Sequence, residues 1–199
     1  MKIPERQVVT LGLIGINVFI FFLEFISPIE NYFSFVPAYA FSQPWTFVTA
    51  MFLHVDFIHI FFNMFALFIF GTYLEARISK KYFLIIYFAS GIIGNVGYMI
   101  TAPGPLNPGL GASGAISGIM GALAMISPSA VIYFYGVPMP MIIASFFWLI
   151  SEYLGIFGPS NIAHGAHLGG LLLGIILGLY LRTKYKKMKY INLSFLNNI

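Results

Sequence analysis

The chain contains no cysteine and very little charge. Among its 199 residues none is Cys, and only 8% are Asp, Glu, Lys or Arg. The absence of cysteine excludes disulfides and thiolate chemistry. Soluble domains carry about 25% charged residues, so this chain cannot cover a water-facing surface. It has instead 59% hydrophobic residues and a mean hydropathy of +0.90, which predict an integral membrane protein.

Basic residues outnumber acidic ones, ten to six, but they do not form a broad basic surface. They are confined to three short clusters along the chain. These are Lys2 with Arg6, then Arg77 with Lys80 and Lys81, and finally Arg182 with Lys184, Lys186, Lys187 and Lys189. This clustering is not the signature of a nucleic-acid-binding surface, and we expect no nucleic-acid partner.

Several apolar stretches approach the length of about 20 residues that a transmembrane helix needs. We predict six spans in one membrane domain of residues 1–199, at about 8–26, 52–74, 82–100, 113–127, 138–154 and 162–181. A polar, turn-rich linker covers Ser27–Gln43, and the stretch VIYFYG before the fifth span has strand-like composition. We expect the first span to be retained, because it is long for a signal-peptide core and lacks an A-x-A cleavage site.

The basic clusters set the expected orientation. With six spans all ten Lys and Arg residues fall on one side of the membrane, whereas five or seven spans would scatter them. The positive-inside rule makes that side cytoplasmic. The sequence therefore predicts that both termini, including a basic tail over 182–199, are cytoplasmic, and we expect the membrane to be the cell membrane of a prokaryote.

A few polar residues remain inside the apolar spans, all near the predicted outer ends. They are His54, Asp56, His59, Asn63, Ser113, Ser117, His164 and His167. Polar groups at membrane depth are functional candidates that face the bundle interior or a water-filled cavity. The alternative for any one of them is a hydrogen bond between helices, worth about 0.6 kcal/mol.

The types of these residues suggest acyl-transfer chemistry. His59 and Asn63 are four residues apart, so they share a helix face and offer two donors to a developing oxyanion. Ser113, at the head of a helix, is a candidate nucleophile whose own backbone N–H is a further donor. His167 has the chemistry of a general base for a serine proton.

Glycine spacing predicts how the base and the nucleophile meet. Gly114 and Gly118 form a G-x-x-x-G pair, and a ladder follows at Gly170, Gly174 and Gly178. Small residues at this spacing let two helix backbones approach closely. His167 precedes the ladder by three residues and shares its face, so the glycines are expected to bring Ser113 to His167.

Three segments resemble the rhomboid family of intramembrane serine proteases. They are HVDFIHIFFN (His54 to Asn63), GASGAISGIMGA (Gly111 to Ala122) and AHGAHLGGLLLG (Ala163 to Gly174). The resemblance implies an all-α bundle of six transmembrane helices with a short central fourth helix. It also implies cleavage of transmembrane protein substrates in or near the bilayer by a Ser–His dyad rather than a triad, with neither cofactor nor metal.

The resemblance also implies a role for individual residues. Ser113 would be the nucleophile and His167 the base and later the acid, while His59, Asn63 and the Ser113 N–H would form the oxyanion site. Supporting positions would be His54, which is structural or water-retaining, and the packing glycines Gly114 and Gly170. The substrate gate would lie within 139–161 and include Phe146, Phe147 and Trp148, and the first loop, 27–43, would be partly embedded in the membrane.

Two positions depart from the family pattern. The family's first loop commonly has Trp-Arg where this chain has Trp45-Thr46, which leaves the anchoring of the loop open. Four residues after the nucleophile the family often has an aromatic residue that stacks on the histidine, and this chain has Ser117. We hypothesise that Ser117 hydrogen-bonds His167 or a local water.

Other functions have sequence features in their favour. A metal site could use His54, His59, His164 and His167 with Asp56, although the chain has no H-E-x-x-H motif. Transport could use Glu24 and Glu152 in a proton path, but these residues are expected at the membrane interfaces and no internal repeat is visible. A soluble hydrolase of the G-x-S-x-G type is excluded, because residue 115 is alanine.

Overall fold

The computed structural model describes residues 7–134, 136–158, 160 and 162–196, and of residues 134 and 185–196 it describes the backbone alone. Most of this part of the chain is helical, as expected for an all-α membrane protein. The helices of at least ten residues are α1 (Val8–Glu24), α2 (Phe57–Glu75), α3 (Lys80–Thr101), α4 (Ser113–Ile126), α5 (Met141–Gly155) and α6 (His164–Leu196). Helix α2 contains one π-helical turn at Leu67–Gly71.

Helix length separates two groups. Within the described residues, α2, α3 and the His164–Lys184 part of α6 are long and apolar enough to cross a membrane, at 19, 22 and 21 residues. Helices α1, α4 and α5 are apolar but shorter, and α4 has 14 residues. At 1.5 Å per residue α4 is about 21 Å long, against a hydrocarbon core of about 30 Å. The predicted count of six spans therefore stays a prediction.

The predicted start of the second span, residue 52, is too early. Helix α2 begins at Phe57, because the Asp56 side chain caps it by accepting the His59 backbone N–H at 2.7 Å. The preceding residues Ala50–Phe52 form a 3-10 turn that leads into an extended Leu53. His54 and Asp56 thus lie in the connection before the helix.

A β-hairpin precedes α5. This helix therefore begins at Met141 and not at the predicted residue 138. Strand β1 (Val131–Phe134), in the stretch with strand-like composition, pairs antiparallel with β2 (Val137–Pro140). The prolines of β2 are compatible with this place because each strand of a two-stranded sheet is an edge strand. At the other end of the chain, the predicted tail 182–199 continues as helix α6 to Leu196.

Helix α4 is the centre of the fold and packs closely on α3 and α6. Residues 114–124 of α4 are all buried. A Cβ on Gly170 of α6 would collide with the carbonyl oxygen of Gly114, and one on Gly174 with that of Gly118. Helix α3 also approaches α6, since a Cβ on Gly94 would lie 2.9 Å from the Ala166 carbonyl oxygen. The predicted close approach of the glycine-bearing helices is found.

Contacts between helix ends bring the described basic residues to one end of the bundle. The carboxylate of Glu75, at the end of α2, accepts the backbone N–H groups of Val9 and Thr10 at 2.9 and 2.8 Å. It therefore caps the first turn of α1, where N–H groups have no partner within the helix. Lys184 of α6 donates to the hydroxyl of Tyr82 at the start of α3. The Ser113 end of α4 lies instead near the loops at the other end of the bundle.

Candidate active site

Ser113 is the first residue of α4, and the backbone before it is held in a special conformation. Gly111 has φ +122°, which residues with a side chain rarely adopt, and its N–H donates to the Ala50 carbonyl at 2.8 Å. The first N–H of the α4 ladder is that of Ile116, which donates to Ala112. The N–H groups of residues 113–115 therefore lie at the positive end of the helix dipole.

His167 lies in the first turn of α6 and meets Ser113 across the close helix crossing. Its Nε2 is 2.7 Å from Ser113 Oγ, and the residue is 8% exposed. A serine hydroxyl is short, so this distance requires backbones that nearly touch, and the contact of Gly170 with Gly114 supplies that approach. The two residues that the sequence singled out as nucleophile and base are thus hydrogen-bonded.

His59 and Gly111 define a small space beside Ser113 Oγ. The backbone N–H of Val55 donates to His59 Nδ1 at 3.3 Å, so Nε2 carries the ring proton. A Cβ built on Gly111 would lie 2.9 Å from His59 Nε2 and 3.7 Å from Ser113 Oγ. The space between the imidazole and the hydroxyl is therefore open only because residue 111 is glycine.

Asn63 lies one turn after His59 on α2. Its Nδ2 donates to the His59 carbonyl at 2.9 Å, and the residue is 7% exposed. Within the described residues its Oδ1 has no hydrogen-bond partner. Asn63 is thus buried on the same helix as His59, with one amide hydrogen used by the backbone and one left over.

His54 packs against His59 in the loop before α2, with their ring centroids 5.1 Å apart. Its side chain is buried, and within the described residues neither ring nitrogen has a hydrogen-bond partner. Burial, with a smaller contribution from the His59 ring, lowers the pKa of His54 to about 3. His54 is therefore neutral at physiological pH. Its backbone N–H donates to both carboxylate oxygens of Glu24 at 3.2 Å.

The predicted gate residues do not share one environment. Trp148 packs against His167, with ring centroids 6.0 Å apart and an interplanar angle of 31°. Phe146 and Phe147 are 59% and 51% exposed and lie on the outer surface of α5. Trp148 therefore brings an aromatic ring to His167 from α5, although position 117 on α4 has none.

Ser117 is buried in α4, 1% exposed. Both ring nitrogens of His167 face other side chains, Nε2 that of Ser113 and Nδ1 that of Glu152. This arrangement lends no support to a hydrogen bond from Ser117 to that ring, and the Ser117 hypothesis stays a prediction.

Glu152 is the residue of the site that sequence reasoning placed wrongly. It was expected at a membrane interface, but it is 3% exposed, and its Oε2 lies 2.6 Å from His164 Nδ1 and 3.0 Å from His167 Nδ1. The available signal was a lone carboxylate in the apolar helix α5, twelve residues before the first of these histidines.

The metal site considered from the sequence is not assembled in the described part of the chain. There, the only His or acidic donor atoms that converge in a group of three belong to Glu152, His164 and His167, within 4.8 Å of one another. His54, His59 and Asp56 do not join them. The hydrogen bond between His164 and Glu152 already accounts for this convergence.

The first loop is anchored despite the Trp45-Thr46 departure. Trp45 Nε1 donates to the Tyr32 carbonyl at 3.1 Å, and Thr46 is buried with its hydroxyl donating to Gln43. Phe35 and Gly109 exchange both backbone hydrogen bonds, at 2.9 and 2.7 Å. This pair connects the loop directly to the segment that leads into Ser113.

Together, the buried glycine-packed helices and the hydrogen-bonded Ser113–His167 pair define a helical membrane protein with a serine–imidazole site. Comparison with known proteins identifies the family. The family model described as the Rhomboid domain matches residues 42–184. The chain belongs to the rhomboid family.

Individual relatives agree with this assignment. The chain is 34% identical over 149 residues to RHOMBOID-like protein 12, mitochondrial, of Arabidopsis thaliana, covering 66% of this chain and 44% of that protein. It is 35% identical over 148 residues to YdcA of Bacillus subtilis, covering 73% and 71% of the two chains. It is 37% identical over 131 residues to the rhomboid protease GluP of Bacillus subtilis, covering 65% and 24%. The chain thus spans less than half of the Arabidopsis protein and about a quarter of GluP.

Proposed function

We propose that this protein is a serine endopeptidase that cleaves transmembrane protein substrates in or near the bilayer. The observation that carries the proposal is the 2.7 Å contact between Ser113 Oγ and His167 Nε2 on two different apolar helices. That distance permits direct proton transfer between the two groups. Family membership supports the same function, since the relatives include proteins named rhomboid protease.

Ser113 and His167 suffice for both chemical steps. Ser113 Oγ forms a bond to the substrate carbonyl carbon while its proton moves to His167 Nε2, and the carbonyl electron pair moves onto the oxygen. When the tetrahedral intermediate collapses, the C–N bond breaks and the leaving amine takes the proton from Nε2. Water then attacks the acyl-enzyme with His167 again as base, and Ser113 recovers its proton. No cofactor or metal enters these steps.

The oxyanion would be held in the space between His59 and Ser113 that Gly111 leaves open. His59 Nε2–H, an amide hydrogen of Asn63 and the backbone N–H of Ser113 are the proposed donors. The His59 tautomer assigned above supports this, because its ring hydrogen is on the nitrogen that faces that space. Removing one donor is expected to lower kcat by about 10²-fold or more.

We further propose that all six apolar helices span or nearly span the membrane, with both termini in the cytoplasm of a prokaryotic cell. The contact of Lys184 with Tyr82 supports a common side for the basic residues of α3 and α6. The Glu75 cap supports the same side for the start of α1. A short α4 would then begin below the outer surface, in the place where Ser113 needs water for deacylation.

Substrates would approach the site past α5. Helix α5 carries exposed Phe146 and Phe147 on its outer surface and Trp148 against His167. A transmembrane segment would have to displace part of this helix or of the chain that follows it, and to unwind locally so that a carbonyl carbon reaches Ser113. Residues 159 and 161 of the proposed gate lie outside the described residues.

The deciding experiment compares the wild type with Ser113→Ala and His167→Ala on a model transmembrane substrate in detergent. We expect cleavage and fluorophosphonate labelling by the wild type alone. Equal cleavage by Ser113→Ala, or labelling at another serine, would refute the proposal. Addition of a chelator should leave the rate unchanged, and a loss of activity that zinc restores would favour the metal alternative instead.

A further inference from the structure

A single buried carboxylate lies between two imidazoles at the outer ends of α5 and α6. Glu152 Oε2 is 2.6 Å from Nδ1 of His164 and 3.0 Å from Nδ1 of His167. The Glu152 side chain is 4% exposed. Since no Lys or Arg pairs with Glu152 within the described residues, the two histidines are the partners that compensate its burial.

The contact on His167 is made on the ring nitrogen opposite the one that meets Ser113. Nε2 is 2.7 Å from Ser113 Oγ and Nδ1 faces the carboxylate, so serine, imidazole and carboxylate lie in a row. The Nδ1–H of His167 points off the line to Oε2, and the contact is close without being a directed hydrogen bond. Catalytic hydrogen bonds are often poorly aligned in a free enzyme and tighten when the substrate binds.

The surroundings of Glu152 keep its carboxylate at this place. His164 Nδ1 is within hydrogen-bond distance of Oε2, and its Nε2 is 3.1 Å from Ser160 Oγ. A neutral His164 satisfies both contacts if Nδ1–H donates to Glu152 and Nε2 accepts from the serine hydroxyl. One turn earlier on α5, Trp148 packs against the His167 ring, so one face of α5 presents an indole and a carboxylate to that residue.

We propose that Glu152 is a positioning residue of the active site, which converts the expected Ser–His dyad into a Ser113–His167–Glu152 arrangement. This inference rests on the proposed protease function. The carboxylate holds the His167 tautomer that carries its proton on Nδ1, which leaves the Nε2 lone pair for the Ser113 proton. It also faces the imidazolium that forms when that proton arrives, and it remains ionised throughout.

A purely structural role for Glu152 makes a different prediction. If the carboxylate only joins α5 to α6 through His164, its loss lowers stability and leaves the protonation behaviour of His167 unchanged. Within the described residues, the titratable groups near His167 are Glu152 on α5, His164 on α6 and His59 on α2. Of these three groups Glu152 supplies the negative charge, so its removal takes away the counter-charge of the imidazolium.

The test is Glu152→Gln in the full-length protein in detergent, compared with Glu152→Asp and Glu75→Gln. Glutamine preserves the size of the side chain and removes the charge, whereas aspartate keeps the charge one methylene further away. Glu75 is equally buried, 3% exposed, but its carboxylate caps α1 away from the site. It therefore reports the cost of losing a buried carboxylate elsewhere in the bundle.

Three measurements are made on each variant: kcat and KM on the model substrate across pH, the rate of fluorophosphonate labelling of Ser113, and the melting temperature. For Glu152→Gln we expect kcat and the labelling rate to fall about 10²-fold or more with KM nearly unchanged. The acid limb of the pH–rate profile should move to lower pH, because the imidazolium loses its counter-charge. Glu152→Asp should recover part of the rate, and Glu75→Gln should keep the wild-type profile.

Two results would overturn the inference while leaving the protease function intact. One is a Glu152→Gln variant with wild-type kcat. The other is a variant whose rate falls only with its melting temperature, with no movement of the acid limb. If the wild type itself neither cleaves substrate nor labels at Ser113, the proposed function has failed instead.

Discussion

Replacing Gly170 by alanine would place a methyl group inside the close crossing of α4 and α6. The added Cβ would lie 2.8 Å from the carbonyl carbon of Gly114, 3.3 Å from its Cα and closer still to its oxygen. Carbon atoms in favourable contact are about 3.5–4.0 Å apart, so α4 and α6 would have to separate by about 1 Å. Backbone atoms cannot rotate away as a flexible side chain can.

The same separation acts on the active site, because Gly170 is one turn after His167 and Gly114 is next to Ser113. Moving the helices apart by about 1 Å would lengthen the 2.7 Å contact between Oγ and Nε2 beyond the range of a hydrogen bond. A misplacement of that size costs about 10²-fold in rate. Overpacking also destabilises by about 1–3 kcal/mol, or about 2–12 °C for a chain of this length.

The assay measures kcat on the model substrate and the melting temperature in detergent for Gly170→Ala and for a matched variant, Gly12→Ala. Gly12 lies in α1, where an added Cβ meets nothing within 4 Å. Because alanine favours helix by about 1 kcal/mol over glycine, that variant should keep its activity and be equally or more stable. A Gly170→Ala protein with wild-type kcat and melting temperature would refute the packing argument.

Two further predictions concern the loops beside the site. Gly111→Ala should lower kcat by about 10²-fold, because its Cβ would enter the space beside His59 Nε2, and Gly136→Ala is the control, with φ +81° but open surroundings. Full activity of Gly111→Ala would contradict the proposed oxyanion space. His54→Gln should weaken the dependence of stability on acid pH. Burial lowers the pKa of His54 to about 3, below its unfolded value of about 6.5. The wild type therefore loses up to about 1.4 kcal/mol of its free energy of unfolding per pH unit as the pH falls through that interval. Melting temperatures of both proteins measured from pH 7 to pH 4 check this, and parallel curves would contradict it.

The motifs whose residues lie along a single helix could be predicted from the sequence. The pair His59 and Asn63, the serine at the head of α4 and the glycine ladder of α6 each depend on a fixed helical spacing. Those spacings predicted that Ser113 and His167 meet, and the structure has Ser113 Oγ 2.7 Å from His167 Nε2, beside the contact of Gly170 with Gly114. The rhomboid assignment depends on the same motifs and is confirmed by the family match.

The points at which helices begin after loops were predicted less accurately. The start of α2 depends on whether Asp56 caps the helix, and the start of α5 depends on strand pairing between Val131–Phe134 and Val137–Pro140. Both are decided by contacts that an apolar stretch does not reveal. Hydropathy alone therefore predicted the starts of these two helices five and three residues too early.

The sequence by itself determined that this is a membrane protein, because a chain with so little charge cannot cover a water-facing surface. It also determined which residue types are available for the chemistry, because the helical period places the polar residues on shared helix faces. The tertiary structure alone decided the environment of Glu152. Its position near a helix end is equally compatible with the membrane interface and with the bundle interior. Only the rotation of α5 against α6, set by side-chain packing between elements, buries that carboxylate against His164 and His167.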